Sequence, residues 1–360
     1  MELETLVDKI HTSGWQGVLT ITGGGTGAFD RLLRFGGGSA TLLDAGLPYG
    51  ERAFQEHTKD WKGKIVSTEA ARFLAMIAFE RAKKLSGHAY PDKLFGVAAT
   101  SSLTKKGSER TGRLHRACLA FQTTDTTWAI ELDLPAWPRT QQEDAVSRMI
   151  VLAVARVCRT VSGGLIDENV PLEKHERHLA TSEAHATNPL MLDELKTVKT
   201  ECMVGPRAWA SLHHPKIVNA CRASSGNRYS ASPSAMNWEP LKEPPKAILA
   251  GSFNPLHEGH MGMAEAGASV LRLDVRDVLC EIAVRNADKP SLDFLEIERR
   301  ANQFAAGSLV LSNAATFVEK SELYPGTTFL VGADTWERIL DERFYGGSQE
   351  ACDEALKKIG

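Results

Sequence analysis

The chain has 360 residues, 42% of them hydrophobic and 24% charged, with a formal net charge of −3, which is enough for two ordinary globular domains. No apolar run approaches the ~20 residues of a transmembrane helix, the N-terminus MELETLVDKI carries no signal-peptide core, and the charge provides no bulk attraction for nucleic acid or anionic lipid. Six dispersed cysteines without a Cys-x-x-Cys pair signal neither zinc nor a disulfide framework, so they read as reduced core thiols of a cytoplasmic protein.

In chain order, GVLTIT (17–22) is a strand-like run that enters the glycine-rich turn GGGTGAFDRLLRFGGGS. Gly23, Gly25 and Ala28 fit the G-x-G-x-x-A dinucleotide fingerprint, and Asp44 follows at the distance of a ribose-binding acid; a purely structural glycine turn is the competing expectation. Ser67 is the expected N-cap of a helix with Glu69 in its first turn and Ala71, Leu74, Ile77 and Ala78 on its apolar face. Three strands follow, LFGVAATSS, HRACLAFQTT and TWAIELDL, and EDAVSRMIVLAVARVC reads as a mostly buried helix. Residues 1–160 thus form one α/β unit.

Gly38-Ser39, then Tyr49, then Val66-Ser67-Thr68-Glu69-Ala70-Ala71 occur in an order that resembles the C-terminal domain of the CinA family, over approximately residues 12 to 160. The family's amidase members hydrolyse nicotinamide mononucleotide. The resemblance implies Ser39 as nucleophile, with Tyr49, Thr100 and Arg139 as further members of a vestigial amidase site. The lysine expected five residues beyond the tyrosine is Phe54, which cannot take a proton from a serine hydroxyl. The usual partner of Arg139, four residues later, is Glu143.

Residues 161–245 carry Ser, Asn, Pro and His, with short amphipathic patches around Pro189–Val198 and His214–Cys221, and are expected to be a connector, partly helical or disordered. His175, His178 and His185, with Glu173 and Glu183, read as a solvated polar face, because their spacing imposes no coordination geometry.

Beyond Pro244-Pro245 the stretch AILAGSFNPLHEGHMGMAE reads as a short buried strand, a tight turn and a helix N-terminus. His257 and His260 then lie beside free backbone N–H groups, an arrangement suited to an anion. Gly251, Ser252 and Gly259 permit close backbone approach, and Asn254 can hydrogen-bond across the turn. VLCEIAV, SLVLSN and the start of TTFLVGADTWERIL are further strands and LDFLEIERRANQFA is a helix, so residues 246–360 alternate as a parallel α/β sheet does.

The string GSFNPLHEGH resembles the first motif of the HxGH nucleotidylyltransferases, in particular nicotinate/nicotinamide mononucleotide adenylyltransferases. Asn286-Ala287-Asp288-Lys289-Pro290 resembles the family's basic loop, Glu298-Arg299-Arg300 its following helix, and Gly332-Ala333-Asp334 its Gly-x-Asp turn. What the resemblance implies is a Rossmann-like domain in which His257, His260 and Lys289 are catalytic. Gly251, Ser252, Phe253, Asn254, Gly259, Arg299, Gly332 and Asp334 would bind nucleotide, with ATP as a substrate carrying Mg²⁺. The family's Ile-Ser-Ser-Thr-x-Ile-Arg segment does not occur before Gly360, so the domain is expected to be a truncated form; Arg338 and Arg343 are expected on a solvated helix and loop.

The overall expectation is a CinA-like α/β domain joined to a Rossmann-like nucleotidylyltransferase domain that moves an adenylyl group from ATP to a pyridine mononucleotide. It has no protein metal site and no nucleic-acid or membrane partner, and homo-oligomerisation is compatible with it. Two other functions are weighed: a non-catalytic nucleotide-binding or interaction protein, and a nicotinamide mononucleotide amidohydrolase acting through the N-terminal domain.

Overall fold

The computed structural model describes residues 3–87, 91–105, 115–158, 196–205, 209, 211–213, 220–223, 238–305 and 307–360. The chain divides into two units, Met1–Val204 and Gly205–Gly360. The histidines and glutamates of 173–185 lie outside the described residues.

The first unit runs α1 (Leu3–Thr12), β1 (Gln16–Thr22), α2 (Gly27–Leu33), β2 (Leu42–Gly46), α3 (Glu51–Thr58), α4 (Thr68–Leu85), β3 (Leu94–Ser102), β4 (His115–Gln122), β5 (Thr126–Leu134), α5 (Arg139–Val157) and β6 (Lys196–Val204). Its sheet has the order β2-β1-β3-β4-β5-β6, parallel across β2, β1 and β3 and antiparallel from β4 onward. Period-two alternation divides β3 between two cores. Phe95, Val97 and Ala99 pack with Val146, Met149 and Ile150 of α5, whereas Ala98 packs with Ala71, Leu74 and Ala75 of α4. The sheet is therefore sandwiched between helices, which is why β3 is apolar along its length. Ser67 caps α4 as expected, its hydroxyl accepting the Ala70 N–H at 3.1 Å.

The second unit contributes β7 (Ala220–Ala223), β8 (Trp238–Pro240), β9 (Ala247–Ala250), α6 (Glu258–Leu271), β10 (Val278–Ala283), α7 (Phe294–Ala301), β11 (Leu309–Ser312), α8 (Phe317–Leu323), β12 (Thr328–Leu330), α9 (Ala333–Ile339) and α10 (Gln349–Ile359). Its sheet order is β12-β9-β10-β11-β7-β8, with β12, β9, β10 and β11 parallel and β7 and β8 antiparallel at one edge. Ile248, Leu279 and Val310, one from each of three adjacent strands, form the core with Tyr324 and Ala220. The carboxyl ends of the four parallel strands share one edge of the sheet, where the segments after β9, β10, β11 and β12 gather.

The stretch expected to be a connector is in part sheet. Lys196–Val204 extends the first sheet along β5, and Ala220–Ala223 and Trp238–Pro240 extend the second along β11. Within the amphipathic patches around 189–198 and 214–221, the described residues, 196–198 and 220–221, are strand. Antiparallel edge strands gain their stability from a neighbour's ladder, and β6, KTVKTECMV, opens on mostly polar residues that do not announce a strand.

Candidate functional site

β9 ends at Ala250, and the Gly251 N–H is held by the Glu281 carbonyl on the adjacent strand at 3.1 Å. A Cβ on Gly251 would stand 2.9 Å from the Phe253 ring, so glycine leaves room for that ring, which is 0% exposed and contacts His260 and Phe304. Burying one aromatic ring contributes roughly 2–3 kcal/mol, which anchors an otherwise exposed turn. The turn is also fastened to α7. Gln303 accepts the Leu256 N–H at 2.7 Å and donates to the Phe253 carbonyl at 2.9 Å, Arg300 donates to the Ser252 carbonyl at 2.9 Å, and Arg299 donates to the Asn254 side chain.

His257 is the N-cap of α6, and His260 sits one turn in. Their rings stack with centroids 3.7 Å apart, and the His257 N–H donates to His260 Nδ1 at 3.2 Å. That bond makes Nδ1 an acceptor, so neutral His260 carries its proton on Nε2 and can donate it to a phosphate oxygen. Burial, and then the neighbouring His257, lower the His260 pKa from its ordinary value. Gly259 permits the stack: a Cβ there would come within 3.1 Å of His257 Nδ1. Two imidazoles thus stand at the first turn of a 14-residue helix, beside its positive dipole end, an arrangement chemically able to face negative charge.

The other expected residues have distinct surroundings. Arg299 and Arg300 both pair with Glu296, at 2.7 and 2.8 Å. Burial alone would raise the Glu296 carboxyl, but the hydrogen bonds from the two arginines outweigh it and hold the carboxyl below its usual range. Lys289 is exposed in the segment after β10, and Gly332 and Asp334 open α9 after β12.

Sequence reasoning missed a cleft at the same sheet edge. It has a volume of about 750 Å³, open to solvent, and is lined by Arg285, Thr316, Glu319, Arg338, Arg343 and Phe344 among others. Arg338, expected on a solvated helix, pairs with Asp288 and lies over the Phe344 ring at 5.3 Å. Arg343, expected on a solvated loop, joins the same wall while pairing with Asp341. Three guanidinium groups line the wall, each beside one carboxylate, Arg285 by Glu319, Arg338 by Asp288 and Arg343 by Asp341, and Phe344 adds an aromatic face. The sequence signal that could have found it is the spacing of cations and aromatics, Arg338, Arg343, Phe344 and Tyr345, just after a strand end.

The first unit separates residues that the CinA resemblance groups together. Ser39 precedes β2 and Tyr49 follows it, at opposite ends of a strand that alone spans roughly 13 Å at 3.3 Å per residue. Ser39 is thus placed away from Tyr49 rather than beside it. Thr100 is 0% exposed inside β3, in register with Cys118, whose thiol burial pushes up to about 12. Tyr49 and Arg139 do meet: Arg139 lies 3.5 Å from the Tyr49 hydroxyl and donates to the Thr104 carbonyl at 3.1 Å, and both line a cleft with Gly23, Thr26, Thr140 and Glu143.

Glu143 also decides the dinucleotide expectation. Its Oε1 accepts the Gly25 N–H at 2.9 Å, the Thr26 N–H at 2.8 Å and the Thr26 hydroxyl at 2.8 Å, while Ser101 Oγ accepts the Gly24 N–H at 2.5 Å. The donors that would cradle a phosphate are occupied by the chain's own carboxylate. Asp44 pairs with Arg81 at 3.0 Å. The glycine turn is structural.

No family model matches the chain. A probable nicotinate-nucleotide adenylyltransferase of Coprothermobacter proteolyticus is 27% identical over 128 residues, which cover 30% of this chain and 62% of that protein. The chain thus spans less than two thirds of the length of this curated relative. Among solved structures, a competence/damage-inducible protein of Agrobacterium tumefaciens matches with a TM-score of 0.35 and 20% identity, covering 43% of this chain and 94% of the other. A CinA-superfamily protein of Klebsiella pneumoniae matches with a TM-score of 0.32 and 11% identity, covering 44% and 98%. The chain is therefore similar both to an adenylyltransferase in sequence and to CinA proteins in structure. Among the described residues no helix is long and apolar enough to cross a membrane, and no group of three or more His, Cys, Asp or Glu is placed to hold a metal ion.

Proposed function

We propose that the second unit transfers an adenylyl group from ATP to the phosphate of a pyridine mononucleotide. An oxygen of the acceptor phosphate forms a bond to the α-phosphorus, the bond from that phosphorus to the bridging oxygen breaks, and pyrophosphate leaves with the bonding pair. Such a reaction needs in-line positioning and neutralised charge rather than a covalent protein intermediate. His257 and His260 hold the α-phosphate and the departing pyrophosphate. Lys289 contacts phosphate, while Asp334 and the Gly332 turn receive the nucleoside.

The observation that carries this proposal is the stacked histidine pair at the β9–α6 junction, on the sheet edge that also bears the arginine-lined, aromatic cleft after β10 and β11. The cleft suits a flat ring bearing a phosphate, and its cations favour the nicotinate form over the amide. Magnesium would arrive on the triphosphate, because the described donor set is imidazole and amide rather than a cage of carboxylates, and this ion keeps much of its shell on water and substrate phosphates.

The engagement of Arg299 and Arg300 by Glu296 and the turn supports a second function of another class, nucleotide binding without turnover. One experiment separates the two. The full chain is incubated with ATP, magnesium and nicotinate or nicotinamide mononucleotide, and pyrophosphate is measured. The transferase releases it, faster with nicotinate mononucleotide, and His257→Ala lowers the rate about 100-fold or more, as expected when a group facing the transition-state charge is removed. Release no greater than that of the variant, with ATP still bound by calorimetry, supports the binder.

A further inference from the structure

Behind the cleft wall lies a polar group that adenylyl transfer does not itself use. The Glu281 side chain is 0% exposed and the Lys320 side chain 5% exposed, with Lys320 Nζ donating to both carboxylate oxygens at 2.5 and 2.7 Å. Ser312 on β11 donates its hydroxyl to the same carboxylate at 2.5 Å. Tyr324 packs against the group, and burial, with the Glu281 charge adding to it, pushes its phenol well above the ordinary value.

A buried pair of this kind is a poor source of net stability, because desolvating two charges offsets their attraction and apolar residues of similar volume serve as well. Its distinguishing property is direction. Two short hydrogen bonds fix the azimuth and register of a helix that apolar packing alone would let slide.

Each end of the pair leads to the site. The Glu281 carbonyl holds the N–H of Gly251, the first residue of the histidine turn, at 3.1 Å. Lys320 lies in the last turn of the short α8, directly after Glu319 of its first turn. Glu319 Oε2 accepts the Ala315 and Thr316 N–H groups at 2.6 and 3.0 Å, and its Oε1 faces Arg285 at 3.4 Å. Arg285, Thr316 and Glu319 all line the cleft. The seven-residue α8 is thus fastened to β10 through Lys320 in its last turn and to the segment just after β10 through Glu319 in its first.

We propose that Glu281 and Lys320 are positioning residues that set the cleft wall formed by Arg285, Thr316 and Glu319 relative to the histidine turn, and so govern binding of the acceptor rather than of ATP. The kinetic part rests on the adenylyl-transfer function proposed above; the structural part does not.

The test uses the full chain carrying Glu281→Leu together with Lys320→Met, which removes both charges and keeps the volume. Lys320→Met alone, expected to fold poorly because it strands the carboxylate, serves as the contrast, and Lys320→Arg tests rescue. Amide hydrogen exchange should accelerate roughly tenfold or more at 315–323 in the double variant, while β9 and β10 keep their protection, as in sub-global opening. KM for the mononucleotide should rise about tenfold or more with KM for ATP changed less than about twofold, the consequence of a displaced wall. Lys320→Arg should recover the greater part of both. Unchanged exchange at 315–323, or acceleration spread equally over β9 and β10, overturns the proposal, as does a folded double variant with unaltered acceptor KM. If wild type releases no pyrophosphate at all, the transferase function fails, and the exchange pattern alone still decides whether the pair positions α8.

Discussion

At the scale of single residues, the site depends on a backbone hydrogen bond that fixes one tautomer. His260 accepts the His257 N–H through Nδ1, and burial beside a second imidazole disfavours its cation. With a folded pKa below the ordinary 6.5, the folded chain binds fewer protons here than the unfolded chain does. The corresponding stability is fully present above the unfolded value and is lost as pH falls through the folded value. Melting temperature followed from pH 8 to about pH 5 should therefore fall more steeply in wild type than in His260→Asn, the divergence opening below about pH 6.5. Equal slopes would show that the ring is not held in its neutral form. The two histidines were legible in the sequence because GSFNPLHEGH joins an apolar strand to a helix start; their stacking and tautomer were not, since the stack needs Gly259 without a side chain at 3.1 Å from His257 and the tautomer follows from the His257 N–H bond to Nδ1.

At the scale of elements, the same strand-to-helix turn recurs in both units with opposite electrostatics. After β9 the turn presents imidazoles and is braced from behind by Gln303, Arg299 and Arg300 of the α7 region. After β1 the turn is filled by Glu143 from α5, which satisfies three donors with one oxygen. Glu143→Ala would leave the Gly25 and Thr26 N–H groups part-buried without partners, a loss of about 1–3 kcal/mol for such groups. Chemical denaturation should register that loss in the first unit, with β9–α6 unaffected; a change below about 0.5 kcal/mol, typical of surface substitutions, would mean that water replaces the carboxylate at no cost. The fingerprint Gly23, Gly25 and Ala28 was visible in the sequence, but the residue that occupies it lies 118 positions away from Gly25 and carries no local signal.

At the scale of the whole molecule, the chain folds two sheets, and the boundary between units falls at Val204–Gly205 rather than near residue 160. β6 completes the first sheet by covering β5, whose central residues Trp128, Ala129 and Ile130 are fully or almost fully buried. A fragment ending at residue 160 should expose the β5 edge and aggregate, whereas one ending at Val204 should stay monodisperse; gel filtration of the two reads the difference, and equal behaviour would place β6 outside the folding unit. Sequence alone determined the two α/β patterns, the Ser67 cap and the histidine turn, because each is written in neighbouring residues whose periodicity and hydrogen bonding are local. Only the tertiary structure decided the edge strands β6, β7 and β8, the parting of Ser39 from Tyr49, the filling of the glycine turn by Glu143, the cleft built by Arg285, Arg338 and Phe344, and the Glu281–Lys320 pair beneath it. Each of these joins residues far apart in the chain, and ladders, buried charges and cleft walls take their energies from partners that no local pattern names.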